Sequence, residues 1–138
     1  MELSSFDNKN KWVEIGDGFK VKLDYLTIEQ KYELDSINMR LYAIGKAIEE
    51  NQGNAIELNS EAHKLFMDSV YKTVLFSVKD WQGLERNGIP IKCELENNQL
   101  TGDSKDIIYN IEGFAIAIHN AIKSSESPVR FNDTDKKK

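Results

Sequence analysis

The chain has 138 residues, 40% of them hydrophobic and 30% charged, which is enough length and apolar content to bury one core. Its formal net charge of -5 argues against sequence-independent nucleic-acid binding and against docking on an anionic membrane, since both draw on an excess of Lys and Arg. No apolar stretch approaches the ~20 residues that a bilayer-spanning helix needs.

In chain order, residues 1–10 read as an N-terminal arm with neither the basic start nor the apolar run of a secretory leader, so the expected compartment is the cytoplasm. Residues 11–25 read as a β-hairpin. Lys11-Trp12-Val13-Glu14-Ile15 and Phe19-Lys20-Val21-Lys22-Leu23 flank Gly16-Asp17-Gly18, and Asp-Gly suits a tight turn because Gly accepts positive φ. Alternation puts Phe19, Val21, Leu23 and Tyr25 on one face. A lone hairpin is marginal in water, so this one must pack on a helix or pair with another segment.

Thr27-Ile28-Glu29-Gln30 has the form of a capping box and opens a helix over about 28–51. Leu34, Ile37, Leu41, Ile44 and Ile48 recur at spacings of three and four, a continuous apolar seam. Gly45 within it suggests a close helix crossing or a bend. Asn59 or Ser60 is expected to cap a second helix over about 60–79, with Leu65, Phe66, Val70, Val74 and Val78 as its buried stripe. Residues 80–103 are turn-rich, with residues 94–100 a weak helix. Asp103 or Ser104 opens a third helix over about 104–122, carrying Ile107, Ile108, Ile111, Phe114, Ala115, Ile118 and Ile122. Residues 123–138 have the composition of a disordered tail. The expected fold is mainly α with a short N-terminal β-hairpin, an α+β class, with three main helices in one domain over 11–122.

Catalytic chemistry finds no constellation. His63 and His119 fall in different expected helices, without a ligand at metal-binding spacing. Cys93 is the one cysteine, which rules out an intramolecular disulfide, and its neighbours Lys92 and Glu94 offer no clear thiolate activation. The glycines form neither dinucleotide nor P-loop patterns. Glu49-Glu50 and the Glu94/Glu96 pair read as solvated faces. The sequence therefore assigns no catalytic residue, no metal and no cofactor, and points to a protein that binds proteins.

One segment stands out, Val78-Lys79-Asp80-Trp81-Gln82-Gly83-Leu84-Glu85-Arg86-Asn87-Gly88-Ile89-Pro90-Ile91. Trp81 is expected to cover the end of the core where the second helix stops. Gly83 would relieve the backbone at the helix C-terminus. Asn87-Gly88 makes a tight reversal, and Pro90 fixes an extended exit. The Asp80, Trp81, Gly83, Leu84, Gly88 and Pro90 pattern resembles the tail assembly chaperones of long-tailed bacteriophages and related prophages. The order of elements over roughly residues 12–122 is similar too, beginning with Val21 to Thr27. The chain departs from the family after Pro90, where a Ser-initiated helix is common.

The resemblance implies a non-enzymatic protein of the host bacterial cytoplasm. It would bind the tape measure protein, and tail-tube subunits or a second copy of itself, through apolar helix faces. Leu34, Ile37, Leu41, Ile44 and Ile48 are then the candidate partner-binding residues, against the alternative that they form internal core. A structural virion or head–tail completion protein and a small dimeric helical regulator are the other readings. The family also makes longer products by ribosomal frameshifting, and the adenine-rich codons of Lys136, Lys137 and Lys138 fit such a site, although three lysines also serve as a plain solubilising tail.

Overall fold

The structure, a computed structural model, describes residues 11–111 and 113–126. The expected arm 1–10 and the part of the tail from residue 127 onward lie outside the described residues. The elements in order are β1 (Lys11–Gly16), β2 (Phe19–Leu23), α1 (Ile28–Glu49), α2 (Ala55–Ser77), β3 (Val78–Gln82), β4 (Glu85–Arg86), β5 (Ile89–Pro90), β6 (Leu95–Glu96), β7 (Gln99–Leu100), α3 (Gly102–Asn110) and α4 (Phe114–Glu126). The fold is mainly α with an N-terminal β-hairpin. Among the described residues, no helix is long and apolar enough to cross a membrane. The chain divides into two compact units, Leu26–Thr73 and the remainder up to Tyr25 and from Val74.

The Leu26–Thr73 unit is a helical hairpin. The capping box forms as expected, with the Gln30 amide donating to Thr27 Oγ1 at 3.1 Å and the Thr27 amide donating to Gln30 Oε1 at 2.9 Å. The connection after α1 turns through Asn51 and Gly53, both at positive φ. The start of α2 lies earlier than Asn59 or Ser60. Asn54 Oδ1 accepts from the Ile56 and Glu57 amides at 2.9 and 3.2 Å, while the Asn59 side chain is a mid-helix donor to the Ala55 carbonyl. Ile37, Ile44 and Leu65 form the core of the hairpin, with Leu41, Ile48, Leu58 and Ala62 packed around them. Lys72 bridges to Glu33 at 2.7 Å and to Asp68 at 3.4 Å, and Arg40 to Glu61 at 3.5 Å. Two expectations fail here. Phe66, expected in the buried stripe, is exposed, and Gly45 marks no close crossing, because a Cβ there would meet nothing within 4 Å.

The other unit is organised by a three-stranded antiparallel sheet in the order β1-β2-β3. Asp17 and Gly18, at φ 50° and 80°, form the hairpin turn and set Gly16 opposite Phe19. The hairpin finds its second partner in β3, where Val21 faces Trp81 and Lys22 faces Asp80. As the middle strand, β2 buries Phe19, Val21 and Leu23. Tyr25, expected on the same face, lies beyond the strand and is exposed. The second helix therefore ends at Ser77, short of 79. Val78 is already in a strand, because the pairing with β2 offers its backbone a ladder that the helix cannot.

Two further expectations change. Residues 94–100 are no helix: β6 and β7 form a hairpin about Asn97 and Asn98, both at positive φ, a conformation Asn tolerates. The stretch 104–122, read as one helix, is two. Gly113 at φ 83° separates α3 from α4, leaving Ile111 exposed while Ile107, Ile108, Ala115, Ile118 and Ile122 are buried. Helix α4 extends to Glu126, so residues 123–126 belong to it rather than to a tail.

Candidate functional site

The chemistry of the described residues is sparse. No group of three or more His, Cys, Asp or Glu side chains is placed to hold a metal ion. His63 is exposed on α2, and His119 is half-buried on α4. The Cys93 thiol is pushed up to about 12, mainly by burial and then by the negative charge of Asp80 and Glu94, so it stays a protonated thiol at neutral pH. Burial draws Lys79 below the ordinary lysine value, with Asp24 opposing. Its ammonium group is committed to the backbone, donating to the Phe76 and Asn98 carbonyls.

A cleft of about 590 Å³ opens between the β4–β5 hairpin and α3. Its charged lining includes Arg86, Lys92, Glu94, Asp103 and Asp106, and among the described residues no imidazole, thiol or hydroxyl side chain lines it. Glu94 has a structural task there. Its Oε1 accepts from the Asp103 amide at 3.2 Å and satisfies the start of α3, which Thr101 leaves without a side-chain cap. Buried Ser104 completes the join, accepting from the Glu94 amide at 2.8 Å and donating to the Lys92 carbonyl.

The residues of the conspicuous segment form a structural clasp. Trp81 is only 5% exposed, and its Nε1 donates to the Ile91 carbonyl at 2.8 Å. Its ring lies 6.3 Å from that of Phe19, which in turn stacks on Phe114 at 5.5 Å. Asp80 Oδ1 accepts from the Trp81 amide at 2.8 Å. Leu84, half-buried, accepts from the Ile91 amide at 2.9 Å, closing the base of β4–β5, while Asn87 and Gly88 turn that hairpin at positive φ and exposed Pro90 pairs with Glu85. Gly83 is no helix cap. It follows a strand at φ 89°, and a Cβ on it would stand 2.3 Å from the Gly18 carbonyl oxygen, so only glycine permits that approach. Trp81 likewise closes the sheet rather than the end of α2.

The α1 seam is also internal. Leu34, Ile37 and Ile44 are buried, Leu41 and Ile48 half-buried, and four of these five belong to the core with Leu65 or pack against it. The seam is therefore not an open partner surface, because covering it is what holds α1 on α2.

The open surface lies on the other side of the same helix. Ile28, Tyr32, Met39 and Tyr42 are 67–72% exposed. At 3.6 residues per turn they fall within an arc of about 80°, roughly opposite the seam. Asp35, Asn38, Met39 and Tyr42 line a shallow depression of about 430 Å³ on this face. The signal was in the sequence as a second run of helical spacing, 28, 32, 39 and 42, overshadowed by the more aliphatic first one. An exposed face with two tyrosines, a methionine and an isoleucine suits association with another apolar surface.

Compared with known protein families, curated proteins and solved structures, the chain matches none.

Proposed function

We propose that this protein is a non-enzymatic tail assembly chaperone of a long-tailed bacteriophage or prophage, acting in the cytoplasm of the host bacterium. In this reading it binds the tape measure protein, shielding apolar helical surface until tail-tube subunits take its place. The observation that carries the reading is the outward face of α1, where four large apolar side chains stand clear of the core. Its companion is the likeness of residues 78–91 to the chaperone motif. The clasp formed by those residues supports a shared framework, and the α1 face supplies the contact. A negative body suits a carrier that must stay dissolved while holding an apolar client.

Co-expression with the tape measure protein of the same phage or prophage tests the proposal. The expected outcome is a soluble complex that co-purifies, and that Met39→Glu or Tyr42→Glu disrupts without loss of helicity. A tape measure protein that stays insoluble and uncomplexed in the presence of the intact chain overturns it.

A further inference from the structure

The outward face of α1 is a heptad seam. Ile28, Tyr32, Asp35, Met39, Tyr42, Lys46 and Glu49 follow at alternating intervals of four and three, the interval at which two helices pack along a common line. The helix has 22 residues, long enough for about 33 Å of contact at 1.5 Å per residue. The apolar side chains of the seam are exposed, and among the described residues Asp35 has no ion-pair partner.

The charges within this seam are arranged about its middle. Met39 and Tyr42 lie on either side of the centre, with Asp35 one step out in one direction and Lys46 one step out in the other. Parallel pairing of two copies sets Asp35 against Asp35 and Lys46 against Lys46. Antiparallel pairing about a two-fold axis sets Met39 against Tyr42, Asp35 against Lys46, and Tyr32 against Glu49. Each contact then occurs twice, as a two-fold interface requires. Polar residues at seam positions cost stability and specify register and orientation in return. Here they are self-complementary in one orientation and repulsive in the other.

We infer that the free protein forms a two-fold dimer through antiparallel pairing of α1, with Met39 and Tyr42 at its centre and reciprocal Asp35–Lys46 ion pairs flanking them. Lys46, which bridges Glu49 of its own helix at 3.4 Å, lies on the line of contact and turns to Asp35 of the second copy. One helix face is a small interface, at the low end of specific ones, so the dimer is a weak, reversible one. It covers the same apolar side chains that a client would take. The pairing rests on α1 alone and stands whatever the client.

Sedimentation equilibrium of the full chain, from micromolar to near-millimolar concentration and without any client, tests it. The expected result is a reversible monomer–dimer equilibrium. Asp35→Lys and Lys46→Asp each raise the dimer dissociation constant about tenfold or more, since each sets like charges together twice. The double variant, with both changes, returns it to within about threefold of the parent, because the exchanged pair is again opposite in sign. Met39→Glu, at an exposed site that the fold does not use, gives a second route to the monomer, and circular dichroism checks that each variant is folded. A chain that stays monomeric throughout, a dimer indifferent to Asp35→Lys, or a double variant as weak as the single ones overturns the inference. Client capture is read separately, so either reading can fail while the other holds.

Discussion

Trp81 and Tyr42 are both large aromatic side chains near charged neighbours, yet they occupy opposite physical situations. The Trp81 ring is buried beside Phe19 and its one polar hydrogen is bonded to the Ile91 carbonyl. The Tyr42 ring is 70% exposed, on a helix whose opposite face already fills the hairpin core. In the first region Asp80 accepts from the Trp81 amide, Gly83 lies close against the Gly18 carbonyl, and Leu84 accepts from the Ile91 amide. In the second, large apolar surface remains in water. The contrast separates residues that hold the fold from residues whose apolar surface the fold leaves exposed.

The largest expected effect breaks the first region. Trp81→Ala removes a buried indole and leaves the Ile91 carbonyl without its donor, so a loss of about 3 kcal/mol or more is expected. Chemical denaturation followed by far-ultraviolet circular dichroism measures it, and a midpoint equal to that of the parent would show that the clasp carries no stability. Gly83→Ala should come next, at about 1–3 kcal/mol, because positive φ penalises any Cβ and the Gly18 backbone has to move aside. Thermal melts of Gly83→Ala beside Gly88→Ala isolate the steric part. Gly88 shares the positive φ, but a Cβ on it would meet nothing within 4 Å, so its substitution costs less.

A smaller effect belongs to the helical hairpin. Lys72 is raised above the ordinary lysine value, chiefly by its hydrogen bond to Glu33, against the opposing cost of burial. A raised folded-state value means that the contribution is fully present below about pH 10.5 and is lost as pH climbs through the folded value. Both groups are partly exposed, so Glu33→Gln should cost only about 0.5–1 kcal/mol. Urea midpoints at neutral pH and above pH 10.5 check this: the gap between parent and variant should narrow at the higher pH.

What the sequence disclosed follows the range of the interactions involved. Thr27 with Gln30, Asp17 with Gly18 and Asn87 with Gly88 act over four residues or fewer, and each forms the local structure its chemistry favours. The seam from Leu34 to Ile48 was legible because helical spacing alone identifies a face to be covered. The strand nature of Val78–Gln82 was not. It depends on pairing with Phe19–Leu23, far away in the chain, and the local sequence at the end of a valine-rich helix carries no trace of that partner. The start of α2 was missed because Asn54, Asn59 and Ser60 are all good caps; starting at Asn54 brings Leu58 into the helix, where it packs against the hairpin core. The single helix expected over 104–122 ignored Gly113, whose positive φ ends one helix and begins another. The candidate contact surface was half legible. The helix that carries the exposed face was singled out, but the more aliphatic stripe drew attention away from the one that stays exposed.

The smallest effect on stability sharpens the comparison most. Tyr42→Ala removes a side chain as large as many core residues, yet one that stands 70% in solvent. Substitutions at such sites change stability by about 0.5 kcal/mol or less in either direction. Alanine is also the better helix former, which offsets part of whatever packing Tyr42 has along its own helix. The expected denaturation midpoint is therefore that of the parent, in sharp contrast to Trp81→Ala. Association should respond in the opposite order, with Tyr42→Ala weakening self-pairing and client capture while the fold stays intact. Measuring stability and association on both variants yields a crossed pattern if the two regions divide the work as described. A Tyr42→Ala protein that melts several degrees early would instead place Tyr42 among the residues that hold the hairpin, and the outward face of α1 would lose its claim to be spare surface.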